Sequence, residues 1–89
     1  MTSTGELGKM FWEGKDRGTA SRTALIRTTN GAMLIDYGWA VLAERIGNTI
    51  HIYDGWDKYS PTTSKHISQL GLRREGENII HHAERKEVG

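Results

Sequence analysis

The chain has 89 residues, 36% of them hydrophobic and none of them cysteine, and its twelve Lys and Arg stand against eleven Asp and Glu for a formal charge of +1. That length serves one small domain, since a chain of this size buries only about 60 to 65% of the surface its unfolded form exposes, and the missing cysteines exclude a disulfide framework, a thiolate metal cluster and a thiol nucleophile. The near balance of charge excludes both a strongly basic nucleic-acid binder and an acidic nucleic-acid mimic.

The first residues are polar and glycine-containing, without the basic patch and apolar run of a signal peptide. No stretch approaches the roughly 20 apolar residues of a membrane helix, which predicts no membrane association, and the missing cysteines fit a reducing cytosol. Leu7, Met10 and Phe11 fall at i, i+3 and i+4, the spacing of one short docking helix. Gly5, Gly8 and Gly14 each oppose a helix by up to about 1 kcal/mol, so residues 1–18 are either that short helix or a flexible N-terminal arm.

Residues 20–29 are rich in β-branched side chains and run into Asn30-Gly31, a pair that tolerates positive φ and marks a hairpin. Met33, Ile35 and Tyr37 alternate beyond it. After a break at Gly38 the alternation resumes through Trp39, Val41 and Ala43, with Leu42 and Ile46 on the opposite parity, and Gly47-Asn48 gives another tight turn. Ile50 and Ile52 then alternate with His51 and Tyr53, so a strand there buries the isoleucines and turns His51 and Tyr53 to solvent. Four short strands joined by tight turns predict an antiparallel meander.

Such a sheet needs a cover on one face, and residues 60–70 supply it. Ser60 directly before Pro61 is the order of a hydroxyl cap followed by proline in the first helical position. Thr63, His66, Ile67 and Leu70 recur at helical spacing as the inward stripe, with Ser64, Lys65 and Ser68 pointing elsewhere; Gly71 or Gly76 ends the helix. Residues 78–82 read as a fifth strand, with a helix through Ile79, Ala83 and Glu87 as the alternative. The expected fold is thus α+β, a small antiparallel meander of four or five strands covered by one helix starting near Pro61. Residues 19–83 form the single domain and 84–89 a frayed, charged tail.

Four histidines, His51, His66, His81 and His82, invite a metal or acid–base reading, but their spacing does not support one. Neighbouring histidines in a strand point to opposite faces, and no C-x-x-C, H-E-x-x-H or H-x-x-x-H pattern occurs, so no metal or other cofactor is expected. His66 shares the helical face of Ile67 and Leu70, the position of a side chain that locks helix to sheet by a hydrogen bond. The hydroxyls of Thr62 and Thr63 suit the free backbone groups of a first helical turn, and Trp56 and Tyr59 read as core or rim aromatics. There is no G-x-S-x-G elbow, phosphate-binding glycine loop or paired-carboxylate motif, and a core this small leaves little room for a ligand pocket of about 300 Å³. The expectation is a protein that is not an enzyme.

Binding to a partner is what remains. Lys58, Lys65 and Gln69 on the exposed side of the helix, and His51 and Tyr53 on the sheet face, are the candidate contact residues. Trp56, Tyr59, Ser60, Thr62, Thr63 and His66 would mainly build the scaffold. The alternative is a single-stranded nucleic-acid binder in which His51 and Tyr53 stack bases and Arg22, Arg27 and Arg45 meet phosphates. Arg73-Arg74 and Arg85-Lys86 lie among Glu75, Glu77, Glu84 and Glu87, the pattern of a solvated mixed-sign surface. An exposed sheet edge would permit a symmetric dimer.

The stretch Trp56-Asp57-Lys58-Tyr59-Ser60-Pro61-Thr62-Thr63-Ser64-Lys65-His66 fits W-x-x-Y-S-x-T-T-x-K-H. It resembles a family of small, poorly characterised proteins encoded by bacteriophages and other mobile elements. Upstream, Tyr37-Gly38 and Ala40-Val41-Leu42-Ala43 are similar to a Y-x-T-x-I-A segment that precedes the motif, with Trp39 and Val41 departing from it, so the resemblance spans about residues 37–70. No catalytic residue carries over. The resemblance implies an accessory protein of the host cytoplasm that acts stoichiometrically, binding and disabling a host protein such as a CRISPR effector component or another part of a defence system.

Overall fold

The computed structural model describes residues 2–89. Helix α1 (Thr4–Trp12) leads into β1 (Gly18–Thr19), β2 (Thr23–Thr28), β3 (Gly31–Asp36), β4 (Ala40–Ile46) and β5 (Thr49–Tyr53); a 3-10 helix (Asp54–Lys58), helix α2 (Pro61–Gln69), β6 (Ile79–His82) and β7 (Lys86–Glu87) follow. The fold is α+β, and β1 to β5 form an antiparallel meander.

The sheet does not stop at four or five strands, nor is it purely antiparallel. The connection through α2 is long enough for a crossover, the condition for parallel pairing. β6 accordingly returns parallel to β5, with Ile50 opposite Ile79 and Tyr53 opposite His82. β7 pairs with the first residues of β4, Ala40 opposite Glu87 and Val41 opposite Lys86, on the edge whose other half is taken by β5. Within the segment 84–89, expected as a frayed tail, Lys86–Glu87 therefore join the sheet. They supply partners to β4 backbone groups that β5 is too short to reach, and the Val88 N–H extends the ladder to the Trp39 carbonyl at 2.8 Å.

One row of side chains crosses four strands: Leu25 faces Leu34, Leu34 faces Ala43, and Ala43 faces Ile52. All four are buried beneath Leu7 and Phe11 of α1, Ile67 of α2, Leu70, Leu72 and Trp56. The two helices meet at Gly8, where a Cβ would come within 2.6 Å of the Leu70 Cα. Close approach thus explains a glycine that propensity opposes, and the N-terminal segment is a docked helix, capped where Ser3 Oγ accepts the Glu6 N–H. Gly8→Ala should cost about 1–3 kcal/mol through overpacking against backbone, read as a lowered midpoint in urea; an unchanged midpoint would mean that the helices do not pack this closely.

Helix α2 starts where Ser60 Oγ accepts the Thr63 N–H at 3.1 Å, with Pro61 in the first turn. It ends at Gly71, which adopts φ 73°, and Trp12 Nε1 donates to the Leu70 carbonyl at 3.0 Å.

Two local expectations shift. Neither Asn30 nor Gly31 has positive φ; Gly31 is required because any Cβ would strike the Arg45 carbonyl oxygen. On β3 the fully covered residues are Ala32, Leu34 and Asp36, while Met33 is half-buried. A bulge then inverts the parity: Leu34 faces Ala43 but Ile35 faces Val41, leaving Leu42 as the extra residue, so Val41, Leu42 and Ala43 are all buried.

Candidate functional site

The turn joining β3 to β4 comprises residues 37–39, and it begins with a tyrosine at φ 55° followed by Gly38 at φ 80°. A non-glycine residue in the left-handed region costs roughly 1–2 kcal/mol. Trp39 then lies edge-on to Trp56 at 5.2 Å and to Tyr59 at 5.9 Å, and Trp56 and Tyr59 are 5.1 Å apart. Trp56 is the buried floor of this cluster, its Nε1 donating to the Lys86 carbonyl of β7 at 3.2 Å. Over it stand the exposed rings of Trp39 at 37% and Tyr59 at 48%. Val88, at 47%, is tied to Trp39 through the backbone, and Tyr37, at 38%, opens the same turn, while Ile26, Ile46 and Ile80 are the other exposed large apolar side chains among the described residues. Arg22 sits 5.9 Å from the Tyr37 ring, and Arg85 lies 5.5 Å from the rings of both Trp56 and Tyr59. Among the described residues neither guanidinium forms a salt bridge.

Of the residues singled out in the sequence, Lys58, Thr62, Lys65 and Gln69 are exposed. Lys58 immediately precedes Tyr59 at the rim of the cluster, whereas Lys65 and Gln69 lie further along the solvent side of α2. Tyr53, expected at the surface, is only 6% exposed. The reason is the two late strands: its ring stacks on His82 of β6 at 5.1 Å, and Lys86 of β7 lies 5.6 Å from it. The Tyr53 hydroxyl donates to Glu44, which also accepts from Lys86 Nζ at 2.7 Å. Burial and then this bond to Glu44 push the hydroxyl above the ordinary phenol range. At Glu44 burial opposes the charge, but Lys86 and Tyr53 outweigh it and hold the carboxyl below its usual range.

His51 is half-buried, with Nδ1 2.9 Å from His82 Nε2. The rings are within 15° of parallel and their centroids 5.1 Å apart. At that separation they meet head-on, one donating N–H to the lone pair of the other. Arg45 does not face outward as a phosphate contact would require, because its guanidinium donates to the carbonyls of Phe11, Gly14 and Lys15 at 2.8, 3.2 and 2.9 Å.

The remaining histidines hold the structure together. His66 Nδ1 lies 2.7 Å from Oδ2 of buried Asp36, whose Oδ1 accepts from Thr23 Oγ1 at 2.9 Å; this is the lock between helix and sheet. His81 has Nδ1 2.8 Å from Asp54 Oδ2 and Nε2 2.8 Å from the Arg74 carbonyl. Both ring nitrogens meet acceptors, which favours the imidazolium and leaves neither nitrogen to exchange a proton with a substrate. Burial works against that charge, but Asp54 and the Arg74 carbonyl raise the pKa above its ordinary value.

A group whose folded pKa is raised contributes stability that is fully present below its unfolded value, about 6.5 for histidine, and lost as pH rises through the folded value. The stability lost in His81→Gln should therefore be larger at about pH 5.5 than at about pH 8.5; equal losses would remove the charge from this explanation.

His81 lines an open cleft of about 330 Å³ with Asp54, Asp57, Lys58, Arg73 and Glu75. Within it the Arg73 guanidinium grips Asp57 with two bonds of 2.8 and 2.7 Å, and Ser64 adds a third. Arg73 first and Ser64 second hold the Asp57 pKa at about 2, against slight burial. Asp54, Asp57, Arg73 and His81 of this cleft are thus paired with one another, whereas Lys58 forms no salt bridge among the described residues.

The residues that sequence reasoning missed are Tyr37, Trp39, Arg85 and Val88. The available signal was the aromatic-Gly-aromatic run 37–39, which reads as a break in a strand until the turn is seen to present both rings. Among the described residues no group of three or more His, Asp or Glu could hold a metal ion, and no helix is long and apolar enough to cross a membrane. No known protein family, curated protein or solved structure matches the chain.

Proposed function

We propose that this protein works without catalysis, by binding another protein through the surface formed by Tyr37, Trp39, Tyr59 and Val88, with Lys58 and Arg85 at its rim and Lys65 and Gln69 extending it along α2. The observation that carries this reading is the pair of exposed rings, Trp39 and Tyr59, packed edge-on over buried Trp56, with exposed Tyr37 in the same turn and exposed Val88 bonded to Trp39 through the backbone. Scattered exposed hydrophobics need no explanation, but a cluster rimmed by polar groups marks an interaction site. Trp, Tyr and Arg are also the side chains that concentrate binding energy at interfaces. The positive φ of Tyr37 adds to this, since strained backbone tends to persist where a side chain must be presented.

The resemblance of residues 37–70 to phage and mobile-element proteins supports a concrete form of the reading: a stoichiometric inhibitor, acting in the host cytoplasm, of a bacterial defence complex of the CRISPR type. Within the motif, Trp56, Ser60, Thr63 and His66 are committed to the scaffold, whereas Tyr59 and Lys58 face solvent. The test is capture on the tagged protein from lysates of defence-competent bacteria, with and without nuclease, followed by mass spectrometry. A stoichiometric protein that survives nuclease and is lost with the double variant Trp39→Ala, Tyr59→Ala is the expected result. Capture that disappears with the nucleic acid would favour the nucleic-acid reading instead.

A further inference from the structure

The first edge of the sheet carries a feature that bears on the partner's chemistry. β1 is the outermost strand, with Gly18 opposite Leu25 and Thr19 opposite Ala24. The Ala20 N–H donates to the Thr23 carbonyl at 2.8 Å. Hydrogen-bonded and non-hydrogen-bonded pairs alternate along an antiparallel ladder. Gly18 and Ala20 therefore turn their backbone groups toward β2, and Thr19 turns its N–H and C=O outward, where no strand meets them.

Two depressions flank this point. One, of about 410 Å³, is lined by Arg17, Gly18, Thr19, Leu25, Ile26 and Arg27. The other, of about 360 Å³, includes Thr19, Ser21, Arg22, Ala24 and Tyr37 in its lining. Thr19 lines both, so the two adjoin at the outermost strand as an edge groove, and Tyr37 lines the second of them.

The charged side chains lining the groove are of one sign. Arg17 and Arg22 form no salt bridge among the described residues, and Arg27 has only Asp16 at 3.6 Å, with 66% and 44% of their side chains exposed. An exposed pair of that kind contributes little and leaves the guanidinium open to a better partner.

We infer that the groove takes an extended acidic segment of the partner protein. The segment lies along β1 as an added strand, its carboxylates on Arg17, Arg22 and Arg27 and an apolar residue at its end resting on Tyr37 and Trp39. A peptide can use the outward N–H and C=O of Thr19 by strand addition, whereas a polynucleotide has no matching backbone. A formal charge of only +1 also lacks the broad positive field that draws a phosphate chain. This inference rests on the protein-binding reading above.

The experiment is fluorescence anisotropy with three labelled probes: a peptide alternating Glu and Val that ends in Leu-Phe, the same peptide with Lys for Glu, and an oligothymidylate. The Glu peptide should bind and the Lys peptide should not. The double variant Arg17→Glu, Arg27→Glu, folded by circular dichroism, should weaken the Glu peptide by about tenfold or more. Equal binding of the two peptides, no binding of either, an unaffected double variant, or tighter binding of the oligothymidylate would each overturn the groove assignment. The two readings separate in the lysate capture. A partner retained by the arginine variant but lost with Trp39→Ala leaves the aromatic surface standing without the groove, and a partner retained by both removes both.

Discussion

Replacing Asp36 by Ala should destabilise the domain by about 2–5 kcal/mol, because it leaves two buried hydrogen-bonding groups without a partner at about 1–3 kcal/mol each. Asp36 is fully buried and holds two elements at once, accepting from Thr23 on the neighbouring strand and contacting His66 on the helix that covers the sheet. Without the carboxylate, the Thr23 hydroxyl and the His66 ring lose their partners in a place water does not readily reach. Asp36→Asn keeps an acceptor for Thr23 and should fall between wild type and the alanine variant. Urea unfolding reads both; a loss below about 1 kcal/mol for Asp36→Ala would mean that the helix is held by apolar packing alone.

Trp56→Ala should cost about 3–5 kcal/mol, the range for deleting a large buried aromatic, and should also abolish partner binding. The two losses share one cause. Trp56 fills the core while its ring edges support Trp39 and Tyr59, and its Nε1 holds the Lys86 carbonyl of the last strand. Trp39→Ala removes a ring that is 37% exposed but rests edge-on against Trp56 and Tyr59, and should cost about 1–3 kcal/mol, less than Trp56→Ala. A Trp56→Ala protein that melts like wild type would show that the aromatic cluster is not anchored in the core.

Much of the fold is legible where local chemistry decides it. Ser60-Pro61 marks the start of α2 because a hydroxyl cap and a proline each satisfy the geometry of a helix start, and the Leu7, Met10, Phe11 spacing marks α1. His66 is legible as a lock because its helical position puts it on the buried stripe. What the sequence hides is placement that depends on distant edges: residues 78–82 read as a strand but not as a parallel one, and β7 is not read at all. β6 is parallel because α2 carries the chain across the sheet, and β7 exists because β4 has an unpaired stretch beyond the end of β5. These two strands also explain why Tyr53 is covered, while the sheet outgrows five strands through β7 and the two-residue β1.

The candidate site is less legible than the fold. Alternation through Met33, Ile35 and Tyr37 and again, after the break at Gly38, through Trp39 and Val41 assigns both rings to strands, but both belong to the turn, with Tyr37 at positive φ. Tyr59 and Arg85 are 26 positions apart, and only the return of the C-terminal segment along β4 places that guanidinium over the rings. Lys58, Lys65 and Gln69 were readable as exposed because the helix phase is clear; that the aromatic end lies beside Lys58 was not.

The most direct measurement is a calorimetric titration of the captured partner against wild type and Trp39→Ala, with melting curves of both proteins alongside. A Trp at the centre of the contact should cost at least about 2 kcal/mol on truncation, roughly thirtyfold in affinity, while a cooperative melting transition shows that the variant is folded. Affinities within about twofold of each other would contradict the assignment and move the binding surface away from the Trp39 end of the domain.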